Sequence, residues 1–283
     1  MKVSILTTSY NYENYISETI ESVLNQTYKD FEYIILDDGS TDNSVEIIKK
    51  YAQSDNRIRF VSRENKGLIY TMKEGIDLCN GEYIVFLESD DSISPTYIED
   101  KLKVLEKYPD AAVIYNKINL IGDEQRVSDV QKHLEKVDKL IKADDFDYIE
   151  LFVSNIIPTF SCVMIKKEVA REIPETFDVP KCYDWYFWNY IIQKYQIVYL
   201  DKALTTFRLH KQSFSVRKNE KSVYVALLAL SEKKYKFEMP YRLFENYKKL
   251  TKIEKAFRKQ CRVIDKFIYK LLYVQKRVKV FKF

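Results

Sequence analysis

Acidic residues that follow apolar runs are where this 283-residue chain is best equipped for chemistry. Glu88-Ser89-Asp90-Asp91 comes directly after the run Tyr83 to Leu87. Carboxylates spaced by one residue at a strand end can converge on a divalent cation. Mg²⁺ and Mn²⁺ favour oxygen ligands, typically one or two carboxylates with phosphate oxygens and water. Such an ion, bridging the phosphates of a nucleoside diphosphate, lets carboxylates approach without direct repulsion. The alternative is a solvated acidic turn that caps the next helix, with Asp91 or Ser94 before Pro95. A second run, Phe31 to Leu36, ends in Asp37-Asp38-Gly39-Ser40. A carboxylate there can accept the N3–H of uracil and so select a base. It can equally form an Asx turn, because Asp-Gly is a common turn pair.

The elements that must hold these groups alternate. Val3 to Thr7 reads as a strand, and Ile16, Ile20, Val23 and Leu24 share one helical face. After the strand Phe31 to Leu36, Thr41 or Asp42 can cap a helix carrying Val45, Ile47 and Ile48. Ile58 to Val61 is a third strand, Tyr70 to Leu78 a helix stopped by Asn80-Gly81, and Tyr83 to Leu87 a fourth strand. Alternation of this kind predicts an α/β fold with a mostly parallel sheet covered on both faces. Ligands of such sheets gather at the carboxyl ends of the strands, where Ser9-Tyr10-Asn11, Asp37-Asp38 and Glu88 to Asp91 all fall. Further on, Ala112 to Tyr115, Ser161 to Ile165 and Ile197 to Leu200 read as strands, and Lys132 to Asp147 as a mobile loop or an exposed helix. From about Asn219 the pattern is wholly helical, with Leu250, Ile253, Phe257, Cys261, Ile264, Ile268, Leu271 and Val278 at three- and four-residue steps.

Composition narrows the classes. The apolar fraction of 46% suits a buried core. The four cysteines are far apart with no metal-ligand spacing, and Met1-Lys2 runs straight into a strand, so reduced thiols in a cytoplasm are expected. No apolar run approaches the roughly 20 residues that span a bilayer. The net charge of +4 conceals an asymmetry: Lys233 to Phe283 holds 17 basic and 4 acidic residues, the remainder 29 and 38. An acidic body with a basic tail is the better description.

The ordered set of motifs resembles the family 2 glycosyltransferases, inverting enzymes with a GT-A fold that build polysaccharides and lipid-linked glycans. It comprises Val3-Ser4-Ile5-Leu6-Thr7-Thr8-Ser9-Tyr10-Asn11, Ser22 to Tyr28, Asp37 to Asp42, Asn65-Lys66-Gly67 and Gly81 to Asp91. It is dense over about the first 120 residues and looser to about Ser215. The resemblance implies that Thr8 and Tyr10 line the base pocket, the Tyr10 ring lying against a pyrimidine. Asp38 would accept from the base, Lys66 approach a phosphate or the base, and Asp90 lie near ribose and metal. Asp91 would be the principal ligand of a Mn²⁺ or Mg²⁺ cofactor. Glu88 stands where the family often has Asp, which puts its own ligation in question. Asp184, in Lys181-Cys182-Tyr183-Asp184-Trp185, matches the family's general base, although Tyr183 replaces a common Glu; the alternative is an N-cap for a helix Trp185 to Ile192. Phe207-Arg208-Leu209-His210 resembles the closing segment, in which Arg208 and His210 would meet the diphosphate, and His210 also the metal.

The implied function is sugar transfer from a nucleotide diphosphate, expected to be a UDP-sugar, to the hydroxyl of a saccharide or lipid-linked saccharide, in bacterial surface polysaccharide or glycolipid synthesis. Residues 1–218 would form the GT-A domain, with 1–120 binding the donor and 121–218 the acceptor, and 219–283 a basic, amphipathic helical extension. The tail's apolar stripe and basic face fit packing on the domain, self-association, or contact with an anionic membrane from the cytoplasmic side. Nucleic acid is not expected as a partner. A nucleotidyltransferase is the competing enzyme class, but it calls for a Gly-rich, basic loop where this chain has Thr8-Ser9-Tyr10-Asn11-Tyr12. An inactive relative acting as an interaction module is the third reading, opposed by the retained Asp38, Asp90, Asp91 and Asp184.

Overall fold

A computed structural model describes residues 3–142, 156–173, 183–210 and 278–281. The first half is strand and helix in strict turn: β1 (Val3–Ser9), α1 (Ile16–Leu24), β2 (Phe31–Asp37), α2 (Ser44–Ser54), β3 (Ile58–Ser62), α3 (Leu68–Leu78) and β4 (Tyr83–Phe86). There follow β5 (Ser92–Ile93), α4 (Tyr97–Lys107), β6 (Val113–Gly122) and α5 (Glu124–Lys142). A 3₁₀ turn (Phe160–Cys162) leads into β7 (Val163–Lys166) and α6 (Lys167–Ala170), then α7 (Tyr183–Lys194), β8 (Ile197–Leu209) and β9 (Val278–Phe281).

These strands form one sheet in the order β3-β2-β1-β4-β7-β6-β8-β5, with β9 also on β8. Pairings of β1 with β2 and β4, β2 with β3, β6 with β8 and β8 with β9 are parallel. β7 runs antiparallel to β4 and β6, and β5 to β8. The chain leaves β1 for β2 and β3, then returns to place β4 on the other side of β1. That reversal splays the loops after β1 and β4 apart and opens a crevice at their carboxyl ends.

Strand side chains alternate between two cores. Val3, Ile5, Tyr33, Ile35, Tyr83 and Val85 pack with Ile16 and Ile20 of α1, Ile48 of α2 and Ile98 and Val104 of α4. Leu6, Ile34, Ile84 and Phe86 face the opposite core with Met72 and Ile76 of α3, Val137 and Ile141 of α5, and Phe187 and Ile191 of α7. Burial on both faces explains why these strands are near-continuous apolar runs.

Several sequence expectations change. Lys132 to Asp147 is helix as far as it is described, the end of α5, which begins at Glu124. β6 and β8 are far longer than Ala112 to Tyr115 and Ile197 to Leu200 predicted, because they pair with each other along ten residues. Their distal halves carry polar residues, so apolar patterning alone stops short. Val278 belongs to β9 and not to a helical stripe, since its backbone completes a parallel ladder on β8. The rest of the basic tail, 219–277 and 282–283, lies outside the described residues.

Candidate active site

Asp37 and Asp38 leave β2 in opposite directions. Asp37 is fully buried, and its Oδ2 accepts from the amides of Gly39 (3.1 Å) and Ser40 (2.9 Å) and from Ser62 Oγ (3.2 Å). Ser40 Oγ also donates to its Oδ1. This is the Asx turn that the Asp-Gly pair allowed, and Gly39 at φ 78° closes it. Asp38 instead turns to the loop after β3. Its Oδ1 accepts from the Lys66 amide at 2.8 Å and from Arg63, and its Oδ2 from the Gly67 amide at 2.9 Å. Burial alone would raise its pKa, but the Lys66 amide and the Arg63 guanidinium hold it below the ordinary carboxylate value. A carboxylate has about four acceptor positions, so the Asp38 oxygens are largely committed, with most remaining capacity on Oδ2.

Thr8, Tyr10 and Lys66, three of the other expected nucleotide contacts, lie on segments that meet at Asp38. Its amide donates to Ser9 O at 2.8 Å, which fixes it beside the end of β1, where Thr8 is half-buried and Tyr10 is 46% exposed. Lys66 contributes its amide to Asp38 while its Nζ lies 4.9 Å from the centre of the exposed Tyr70 ring. Arg63, which the motifs did not single out, bridges Asp38 and Glu74 and donates to Thr71 at 2.8 Å. Its signal in the sequence is slight: a lone Arg after a short strand.

The acidic segment behaves differently. One carboxylate oxygen from each of Glu88, Asp90 and Asp91 falls within 4.8 Å of the others. Asp90 and Asp91 are buried and Glu88 is partly buried. Burial, with the charge of Asp90, pushes Glu88 up to about 8. Burial followed by the charges of Asp90 and Asp91's other neighbour Glu88 raises Asp91 well above the carboxylate range. Asp90 is raised by burial too, while His210 Nε2, 2.9 Å from its Oδ2, pulls the other way. Carboxylates so close and so shielded from water oppose one another's ionisation, and positive charge nearby favours it. Their oxygen-only donor set and spacing fit a hard divalent cation.

Polar groups from three elements brace this cluster. Thr159 Oγ1 donates to Glu88 Oε2 at 2.9 Å and lies 3.4 Å from Asp91 Oδ2. Ser161 Oγ accepts from the Glu88 amide at 3.0 Å. The extra methylene of Glu88, compared with Asp, is therefore matched by a hydroxyl that meets it. From β8, the Arg208 amide donates to Asp91 Oδ1 at 3.0 Å, its Nε to Asp90 O at 3.0 Å, and its Nη2 to Glu18 Oε2 at 2.5 Å. Arg208 thus ties β8 to α1 across the acidic turn. Tyr12 and Tyr15 pack on the His210 ring at centroid distances of 6.2 and 4.7 Å. Burial and the charges of Asp90, Glu88 and Asp91 push the Tyr12 hydroxyl well above its ordinary value. Thr159, Ser161 and Tyr12 were not foreseen, because isolated hydroxyls in loops carry no spacing signal.

Asp184 enters from the opposite core. α7 begins at Tyr183, so Asp184 occupies its first turn and is not a cap for a helix starting at Trp185. It is partly buried, and its charge raises Glu88 further, which places it by the acidic cluster. Phe160 anchors that end of α7, with its ring 4.8 Å from Trp188 and 6.3 Å from Phe187. Trp188 is buried in the core, so it offers no surface for stacking a sugar.

Comparison with known proteins meets this geometry. The glycosyl transferase family 2 profile matches residues 4–174. The chain is 30% identical over 250 residues to the glycosyltransferase GlyA of Streptococcus pneumoniae, covering 82% of this chain and 34% of that one. It thus spans about a third of that relative's length. Among solved structures, TarS of S. aureus in complex with UDP-GlcNAc superposes with a TM-score of 0.58 at 17% identity, over 81% of this chain and 66% of that one. A mannosyltransferase from Pyrobaculum calidifontis, in complex with GDP-Man and Mn²⁺, superposes with a TM-score of 0.55 at 14% identity, over 95% and 87%. The fold is of the GT-A type.

Proposed function

Because the chain belongs to glycosyl transferase family 2, we propose that it moves a sugar from a nucleoside diphosphate, with UDP as the nucleotide, to an acceptor hydroxyl with inversion. The observation that carries this reading is the cluster of Glu88, Asp90 and Asp91 at the crevice between β1 and β4, with Asp184 close enough for its charge to bear on Glu88. A divalent ion held by Asp91 and Asp90 would supply positive charge to the leaving diphosphate. Thr8, Tyr10 and Asp38 take the base, and Asp90 lies near the ribose. His210 orients Asp90, and Arg208 holds both aspartates through its amide and Nε.

In the transfer step Asp184 takes the proton from the acceptor hydroxyl. That oxygen bonds to the anomeric carbon while the carbon–oxygen bond to the diphosphate breaks, and the nucleoside diphosphate leaves. A single base on the face opposite the leaving group gives inversion. The acceptor belongs to a bacterial surface polysaccharide or glycolipid. The basic stretch from Lys233 to Phe283 supports a reaction at an anionic membrane surface.

Incubation with a panel of nucleotide sugars, with Mn²⁺, Mg²⁺ or EDTA, tests the proposal through release of nucleoside diphosphate. UDP-sugar turnover that EDTA stops is expected, and no metal-dependent release from any donor overturns it. Asp184→Asn should lower transfer by about 10²–10⁴-fold while leaving UDP affinity unchanged. Normal transfer by that variant would remove Asp184 from the role of base.

A further inference from the structure

Asn11 is the only non-glycine residue with positive φ among the described residues, at 60°. Asn tolerates this left-handed conformation better than most residues, and local hydrogen bonds are the reason. Here they run between two loops. The Asn11 amide donates to Ser40 Oγ at 2.8 Å, and Asn11 Oδ1 accepts from the Thr41 amide at 2.8 Å. The next residues repeat the pattern: Tyr12 N donates to Ser44 Oγ at 2.9 Å, Glu13 N to Asp42 Oδ2 at 3.0 Å, and Asn43 N to Glu13 Oε2 at 2.9 Å. Ser40 is itself pinned by Asp37 at the end of β2. The loop after β1 is therefore stapled to the loop after β2, and the staple starts one residue after Tyr10.

Tyr10 projects from the end of a strand with 46% exposure, so little packing determines where its ring points. Its direction follows from the backbone on either side, and on the C-terminal side that backbone is Asn11. We infer that Asn11 is a positioning residue for nucleotide binding: by holding φ near 60° and capturing the Thr41 amide, it sets the Tyr10 ring over the crevice beside Asp38. This rests on the donor reading above and assigns Asn11 no contact with the substrate.

The staple has two separable parts. Asn11→Asp keeps the acceptor and the tolerance of positive φ, Asn11→Gly keeps only the backbone freedom, and Asn11→Ala keeps neither. Binding of UDP to the full chain, measured by calorimetry with Mn²⁺, should weaken about tenfold in Asn11→Ala and about threefold in Asn11→Gly, and change less than about twofold in Asn11→Asp. Amide hydrogen exchange across residues 39–43 should accelerate in the same order. A merely structural role would move melting temperature in step with affinity; a positioning role leaves Asn11→Gly and wild type melting alike while their affinities differ. Wild-type affinity in Asn11→Ala, or a loss in Asn11→Asp equal to that in Asn11→Ala, overturns the inference. A wild-type chain that binds no UDP removes the nucleotide reading itself, and this inference with it.

Discussion

Two pairs of adjacent aspartates end two parallel strands of one sheet, yet their electrostatics are opposite. Asp37 and Asp38 are met by protein donors: amides from their own turn, the Lys66 and Gly67 amides, and Arg63. Asp38 stays a comfortable anion despite burial. Asp90 and Asp91, with Glu88, are buried against one another and pushed toward the neutral form. Position at a strand end brings a carboxylate to the crevice. The neighbouring donors separate the pairs: the Asp38 carboxyl is held below its ordinary value, while Glu88, Asp90 and Asp91 keep raised values despite their contacts with Thr159, Arg208 and His210.

The sharpest way to break this contrast is to neutralise one member of each pair. If Asp91 holds an ion at the leaving group as proposed, Asp91→Asn should lower nucleoside diphosphate release by about 10³-fold or more. The same change relieves repulsion, so in EDTA the variant should melt above wild type, by about 2–4 °C for each kcal/mol gained. A lower melting point would contradict the raised protonation of this cluster. Asp38→Asn should do the reverse. It puts an NH₂ against donors that need an acceptor, costing about 1–3 kcal/mol in stability, read by denaturant titration.

pH separates the pairs without mutation. The folded Glu88 carboxyl sits at about 8 against 4.5 in a free chain, so the folded protein holds more protons than the unfolded one between those values. Stability of the protein stripped of divalent ions should therefore fall as pH rises from about 4.5 to about 8, and Mn²⁺ should flatten that slope. Asp38 has the opposite sign. Its folded value lies below 3.8, so its contribution is present above that pH and is lost as pH falls through the lowered value. A melting curve against pH, with and without Mn²⁺, checks both limbs. The smallest effect belongs to Lys66→Ala. The Asp38 contact there is a backbone amide that the variant keeps, so KM for the donor should rise only about threefold. A hundredfold rise would show that the ammonium itself meets the phosphates.

The strand-end motifs were legible because β1, β2 and β4 are short, apolar on both faces and punctuated by polar loops. Their order on the sheet was not, though it is the return of β4 to the far side of β1 that brings Asp90 within reach of the same crevice as Asp38. Asp184 was legible only as a motif position. The helix that carries it packs on Phe160, a contact between residues 27 or more apart in the chain. Arg208 and His210 were expected at a diphosphate, and in the structure their first partners are the acids themselves.

Sequence alone therefore determined the alternation of elements and the strand ends at which carboxylates gather, since these follow from local periodicity and turn chemistry; the family came from the resemblance of the ordered motifs. Tertiary structure decided the direction in which Asp38, Glu88, Asp90 and Asp91 depart from ordinary carboxylates. Charge state depends on desolvation and on donors that reach across the fold: Arg63 and Lys66 from the loop after β3, Thr159 just before the 3₁₀ turn, Arg208 from β8 and His210 just after it. No spacing along the chain encodes those distances. The acidic segment after β4 was visible as four letters; that its carboxylates crowd together with raised pKa values became visible only when the chain closed around it.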